Sequence, residues 1–134
     1  MEWYKCRWII EEYHKCLKTG CRIEDRQLGT SEALEAVLGV LGIIAVLMLQ
    51  LRNLAREDSN RQAKEVVPEI PMKIICKKYK LEMTVSLRDF WRSVAKMGGF
   101  IGRKSDGEPG WQTLWGGWLR LIDMWFGVEA FMAC

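Results

Sequence analysis

The sequence predicts an all-α fold. No segment of the 134 residues alternates between apolar and polar side chains with the period of two that marks a β-strand. Apolar residues instead recur every three or four positions, and helix breakers such as Gly98-Gly99 and Pro109-Gly110 separate these stretches. The chain has 134 residues, of which 49% are hydrophobic, and this is enough to bury one modest core. We therefore expect a series of helices joined by loops.

The first predicted helix runs from about residue 3 to residue 18 and stops at Thr19-Gly20, where Gly20 suits a left-handed C-cap. Its charged residues recur at intervals of three or four, so they share one face about 100° wide. This face holds Tyr4, Arg7, Glu11, His14, Lys15 and Lys18. The opposite side is apolar, so the helix is amphipathic.

The second predicted helix begins at Thr30 or Ser31, either of which can cap it, and ends near Leu54. Residues 36–49 are apolar without interruption, but a membrane span needs about 20 apolar residues and this run has about fourteen. The basic residues around it are not biased to one side, as insertion would require. We therefore expect a helix buried inside a soluble protein, with no membrane partner.

Residues 55–71 are polar and contain Pro68 and Pro71, so they predict a loop with at most one short helix. Residues 72–80 predict a short helix or an irregular segment. This segment carries a basic cluster of Lys73, Lys77, Lys78 and Lys80.

Two further helices complete the prediction. Ser86 followed by Asp89 resembles a capping box, so a helix is expected from there to Met97, ended by Gly98-Gly99. A turn-rich loop covers residues 102–110. The last helix carries apolar residues at helical spacing, among them four of the seven tryptophans of the chain.

The charged face of the first helix has two interpretations. Arg7 with Glu11, and Glu11 with Lys15, are i,i+4 pairs that stabilise a helix by about 0.2–0.5 kcal/mol each without any further function. Alternatively, one carboxylate among several cations suits a metal ion held beside a phosphate backbone. Tyr4 favours the second interpretation, because a face built only of salt bridges has no use for a phenol.

Composition excludes some classes of protein. The net charge of +3 is only weak evidence for a nucleic-acid partner. The five cysteines form no CxxC pair and His14 is the only histidine, so the sequence contains no common zinc-binding pattern. We expect reduced thiols in a cytosolic compartment.

Residues 4–20 resemble the Y-x2-R-x3-E-x6-K signature of insertion-sequence-four family transposases of the Tn5 type. Tyr4, Arg7, Glu11 and Lys18 fill the four fixed positions. The similarity continues at Leu49-Gln50-Leu51-Arg52 and at Met97-Gly98-Gly99-Phe100. It then runs through Gly110-Trp111-Gln112-Thr113-Leu114-Trp115, Gly117-Trp118 and Leu121. Residues 55–81 are the part without a clear counterpart.

The resemblance implies specific roles for the first helix. In the family, three carboxylates on a ribonuclease-H-like core hold two divalent metals, magnesium or manganese, for phosphoryl transfer at transposon ends. Glu11 matches the third carboxylate and would be both a catalytic residue and a metal ligand. Tyr4, Arg7 and Lys18 match positions that contact the end of double-stranded transposon DNA, and His14 and Lys15 share their face.

The first two carboxylates have no counterpart here, since the other aspartates lie in unsuitable contexts. We therefore expect the helical C-terminal portion of a ribonuclease-H-like transposase without its sheet, which neither binds the metals nor catalyses alone. Residues 1–54 would be a remnant of the catalytic domain and residues 55–85 a variable linker or short helices. Residues 86–134 would be a helical dimerisation subdomain.

The last helix also has two interpretations. Its apolar stripe is typical of an ordinary core, whereas the family resemblance implies a symmetric dimer contact. The residues expected at that contact are Leu114, Trp115, Trp118, Leu121 and Trp125.

The function expected from the resemblance is DNA binding in cut-and-paste transposition, in the bacterial cytoplasm at the nucleoid. The alternatives are an interaction module that dimerises with a full-length transposase and inhibits it, or an inert gene remnant. Homodimers and heterodimers with the longer protein both remain open.

Overall fold

The computed structural model describes residues 2–134, without the side chains of Glu2 and Lys5. Five α-helices make up most of this part of the chain. They are α1 (Glu2–Lys15), α2 (Ser31–Glu57), α3 (Glu69–Tyr79), α4 (Leu87–Met97) and α5 (Trp111–Ala133). The described residues contain no strand, and their only β-type pairing is an isolated bridge between Gln62 and Ser86. The prediction of an all-α fold is confirmed.

The helix boundaries follow local signals. The Thr30 hydroxyl oxygen accepts a hydrogen bond from the Ala33 backbone N–H at 3.2 Å, so Thr30 caps α2. Ser86 caps α4 in the same way by accepting from the Asp89 N–H at 3.1 Å. The helix that follows Ser86 ends at Met97, as predicted. α3 begins earlier than predicted because Pro71 lies in its first turn, where a missing N–H costs no hydrogen bond.

The first helix is shorter than predicted. α1 ends at Lys15, and Cys16–Gly20 continues as a turn of π-helix closed by a 2.9 Å hydrogen bond from the Cys21 N–H to the Cys16 carbonyl. The left-handed residue lies two positions beyond Gly20, at Arg22 with φ 50°. Lys18 therefore belongs to the π turn and not to α1.

The chain forms two compact units, one ending at Asn53 and one covering Leu54–Cys134. In the first unit, α1 and α2 are joined by an ion pair between Glu12 and Arg52. The Arg52 Nη1 lies 2.6 Å from the Glu12 Oε2, and the two side chains are only 14% and 17% exposed. The buried apolar residues of this unit lie in the π turn and along one face of α2. They are Cys16, Leu17, Cys21, Leu41, Ala45, Met48 and Leu49.

The prediction that α2 is buried is wrong for this chain. Only one stripe of α2 is covered, and Ile43, in the middle of the apolar run, is 66% exposed. Among the described helices, only α2 is long and apolar enough to cross a membrane by length and composition, a test that core helices of soluble proteins also pass. A helix that is apolar on all sides needs cover on all sides, and α1 covers only one of them.

In the second unit, α4 and α5 cross at very close range. A Cβ atom at Gly117 would lie 1.8 Å from the Val94 carbonyl oxygen, and one at Gly98 would lie 1.8 Å from the Thr113 carbonyl oxygen. Only glycine allows the two backbones to approach this closely. The core around this crossing also includes side chains of α3. Its fully buried side chains include Met72, Ile75, Leu87, Phe90, Val94, Leu114 and Leu121.

Candidate functional site

The structure brings most of the predicted charged residues together on α1. Tyr4, Arg7, Glu11, His14 and Lys15 are all exposed, and their spacing places them on one face of the helix. The Arg7 Nε donates a hydrogen bond to the Glu11 Oε1 at 3.0 Å, which is the i,i+4 pair expected from the sequence. This charged face is open to solvent along its whole length.

Lys18 is held by a different partner. Its Nζ lies 2.8 Å from the Glu24 Oε1, and this exposed ion pair links the π turn to the following 3₁₀ turn, Ile23–Asp25. The hydrogen bond to Glu24 raises the pKa of Lys18 above its usual value, so the ammonium stays charged. Lys18 is thus available as a cation near the end of α1.

Glu11 lacks the surroundings of a metal ligand. Its side chain is 63% exposed and its hydrogen-bond partner is Arg7, a cation. Nowhere in the described part of the chain do three or more histidine, cysteine, aspartate or glutamate side chains come close enough to hold a metal ion. Because a hard divalent cation takes several oxygen ligands, these residues do not fit a two-metal centre by themselves.

The apolar side of α1 forms a groove with α2. Ile9, Ile10 and Tyr13 of α1, with Val46 and Leu49 of α2, line most of an open cavity of about 500 Å³. Ile9 and Ile10 remain exposed, as do Trp3 and Trp8 on the same helix. The apolar surface of α1 is therefore only partly covered within the first unit.

The predicted dimerisation residues divide into two groups. Leu114, Trp115 and Leu121 are buried in the core of the second unit, so they are not a free surface in this conformation. These three of the five predicted interface residues are buried because the glycine crossing draws α5 against α4. Their role at a dimer contact stays a prediction. Trp118 and Trp125 are half-buried. Trp118 packs edge-on against Trp91 with 5.9 Å between ring centroids, and the Trp125 Nε1 donates to the Glu129 Oε1 at 2.7 Å.

Beyond Leu121, α5 leaves the core. None of residues 122–133, all of which the structure describes, is buried, although many are apolar. Phe126 is 63% exposed and Phe131 is 84% exposed. We call residues 122–133 the C-terminal arm. In the sequence, the C-terminal arm is marked by large apolar residues that continue past Trp125, the last of the predicted contact residues.

A comparison with known protein families gives a match for the larger part of the chain. Residues 43–131 match the family described as the transposase Tn5 dimerisation domain. The matched region begins within α2 and includes all of α3 and α4 and nearly all of α5, which is more than half of the chain. The chain therefore belongs to the Tn5 transposase dimerisation domain family.

Proposed function

We propose that this chain pairs with a second copy of itself through the C-terminal arm of α5, as the dimerising part of a DNA transposase. The observation that carries the proposal is the exposed apolar surface of an arm that extends past the core. Membership of a dimerisation-domain family supports it. The same arm would let the chain join a longer transposase that carries the same domain.

The length of the arm suits a helical contact. Twelve residues at about 1.5 Å each extend roughly 18 Å beyond Leu121. Two such arms related by a two-fold axis would cover each other's aromatic and aliphatic side chains, at about 25 cal/mol for each Å² of apolar surface buried. The arm carries only two charged residues, Asp123 and Glu129, and Glu129 is engaged by Trp125. The apolar side chains of the arm far outnumber these two carboxylates, so burial of apolar surface dominates the contact.

A charge placed in the arm tests this proposal. We expect the wild-type chain to sediment as a dimer at micromolar concentration and Phe126→Asp to sediment as a monomer, because burying an unpaired carboxylate is costly. The matched control is Ile101→Asp. Ile101 is 65% exposed, close to the 63% of Phe126, but it lies in the loop between α4 and α5. A monomeric wild-type chain, or a dimer that survives Phe126→Asp, would contradict the proposal.

For the first unit we propose a contact with double-stranded DNA through the charged face of α1 together with Lys18. Arg7, His14 and Lys15 are exposed on one face of α1, beside the phenol of Tyr4. Lys18 is exposed in the π turn that follows. These groups suit phosphate oxygens and carry no base specificity of their own. Glu11 would act as a ligand for magnesium or manganese only together with carboxylates that this face lacks.

A further inference from the structure

Two buried cysteines stand at the two ends of the π turn that follows α1. Cys16 is fully buried and Cys21 is 1% exposed. The 2.9 Å hydrogen bond from the Cys21 N–H to the Cys16 carbonyl closes the turn between residues five apart. This places the two residues next to each other on consecutive levels of the turn.

The two buried thiols affect each other's protonation. Their interaction raises the pKa of the Cys16 thiol, and burial raises it further. The same interaction lowers the pKa of the Cys21 thiol, and the charge of Arg26 lowers it as well, against the effect of burial. The physical reason is that a thiolate at Cys21 is stabilised by a proton donated from Cys16. Cys21 is therefore the better nucleophile of the pair, and Cys16 is the proton donor.

We propose that Cys16 and Cys21 form a reversible disulfide with glutathione disulfide as the oxidant, so that the conformation of the π turn responds to redox state. A disulfide needs Cα atoms about 4.4–6.8 Å apart. The backbone hydrogen bond between the two residues already brings their main chains together. The two sulfurs must come together to a bond of about 2.05 Å. An isolated π turn is an irregular backbone that can yield by this amount more easily than the α-helix before it.

The chemistry is ordinary thiol–disulfide exchange. Because Cys21 is only 1% exposed, the exchange takes place when the π turn opens locally to solvent. The Cys21 thiolate attacks one sulfur of glutathione disulfide, the S–S bond of that molecule breaks as a mixed disulfide forms on Cys21, and one glutathione leaves as a thiolate that takes up a proton. Cys16 then gives its proton to solvent and attacks the Cys21 sulfur, which expels the second glutathione thiolate. The protein loses two protons and two electrons, and one glutathione disulfide becomes two molecules of glutathione.

The turn closed by this bond carries Lys18. Lys18 lies between the two cysteines, and its partner Glu24 lies just past the left-handed Arg22. The left-handed conformation is unfavourable for a residue with a side chain, so the exit from the turn is already strained. Drawing the two sulfurs together changes the backbone on both sides of Lys18. The redox bridge is independent of the proposed dimer and of the proposed DNA contact, because both cysteines lie within the first unit.

The other three cysteines serve as internal references. Cys76 is buried and its thiol donates to the Glu82 carbonyl at 3.5 Å, and burial raises its pKa. Cys6 and Cys134 are exposed. If accessibility alone decided reactivity, Cys6 and Cys134 would react first and would form glutathione adducts and not an internal bridge.

The test is a titration of the full chain with glutathione buffers of increasing oxidised fraction, followed by acid quenching, pepsin digestion without reductant and mass spectrometry. We expect a peptide pair that has lost two hydrogens and joins Cys16 to Cys21, formed while Cys76 is still reduced. Reducing glutathione should reverse it. A chain in which Cys16 and Cys21 stay reduced while Cys6 and Cys134 react, or in which Cys21 bridges to another cysteine, would overturn the proposal.

Cysteine variants distinguish the nucleophile, Cys21, from the proton donor, Cys16. Cys16→Ser should accumulate glutathione on Cys21, because the second step is blocked, whereas Cys21→Ser should react several-fold more slowly at Cys16. Cys76→Ser is the matched control, since it removes a buried thiol that has no cysteine neighbour, and its bridge should form as in the wild type. Trypsin cleavage after Lys18 should also change several-fold in rate when the wild-type chain is oxidised. An unchanged rate would contradict the effect on the turn.

Discussion

Arg7 and Glu11 meet across one turn of α1 with both side chains largely in solvent, where an ion pair contributes little to stability. Such a pair can be exchanged for another partner at small cost. A phosphate oxygen can replace Glu11 beside Arg7, and a divalent cation can replace Arg7 beside Glu11. The exposed pair is therefore compatible with both interpretations of the charged face. A measurement of how the neighbouring cations bind a polyanion distinguishes between a pair that only stabilises the helix and a face that contacts phosphates.

Lys15 gives the cleanest measurement at this scale. We expect Lys15→Ala to weaken binding to a DNA duplex and to reduce the slope of log affinity against log salt by roughly 0.9, the release of about one counterion. Fluorescence anisotropy over a range of salt concentrations measures this slope. Lys104→Ala, which removes an exposed lysine from the loop before α5, should leave the slope unchanged. Equal effects of the two substitutions would mean that charge alone, and not the face of α1, attracts the DNA.

At the scale of elements, the ion pair between Glu12 and Arg52 fixes α1 against α2. Breaking a largely buried pair by removing one partner typically costs about 3–5 kcal/mol, because the remaining charge is poorly solvated. We expect Arg52→Met to lower the free energy of unfolding of the first unit by about that amount in urea titrations followed by circular dichroism. Arg7→Ala breaks the exposed pair on the same helix and should have little effect. If both variants unfold at the same urea concentration, this pair does not hold the two helices together.

The crossing of α4 and α5 is the second element-scale contact. A methyl group at Gly117 would overlap the Val94 carbonyl oxygen, so the helices must separate or bend. We expect Gly117→Ala to destabilise the second unit by about 1–3 kcal/mol or more, the usual cost of overpacking. Gly127→Ala lies on the same helix with no atom within 4 Å of the new methyl group, and it should stabilise by about 0.5–1 kcal/mol. Tryptophan fluorescence during urea unfolding, at one low protein concentration, gives the free energy of unfolding of each variant. Destabilisation by both substitutions would contradict the close approach.

An element could be predicted from the sequence where the signal that determines it is local, and could not where it depends on tertiary packing. α4 was predicted well because its start and end are local, in the Ser86 cap and in Gly98-Gly99. The π turn was missed because it depends on the burial of Cys16 and Leu17, which is a tertiary effect. The exposure of α2 was missed for a related reason. Composition shows that a helix needs cover, but not how much of that cover the rest of the chain supplies.

At the scale of the whole molecule, the difference between local signals and tertiary packing also determines how much of the candidate site could be predicted. The charged face of α1 was predictable because helical periodicity alone places its residues together. The division of α5 into a core half and an arm was not predictable, because both halves carry the same apolar spacing. Gly98 and Gly117 determine this division, because they bring α4 against the first half of α5 only. Beyond Leu121, α5 continues with no buried side chain.

A truncation tests this view of the molecule. Residues 126–134 are all exposed, so a chain that stops after Trp125 loses no buried side chain. We expect it to keep the helices of the second unit and to unfold at nearly the wild-type urea concentration. It should no longer form the proposed dimer in analytical ultracentrifugation, because the most exposed aromatic side chains of the arm are gone. A truncated chain that remains dimeric would move the interface elsewhere, and one that loses α4 and α5 would show that the arm is part of the core.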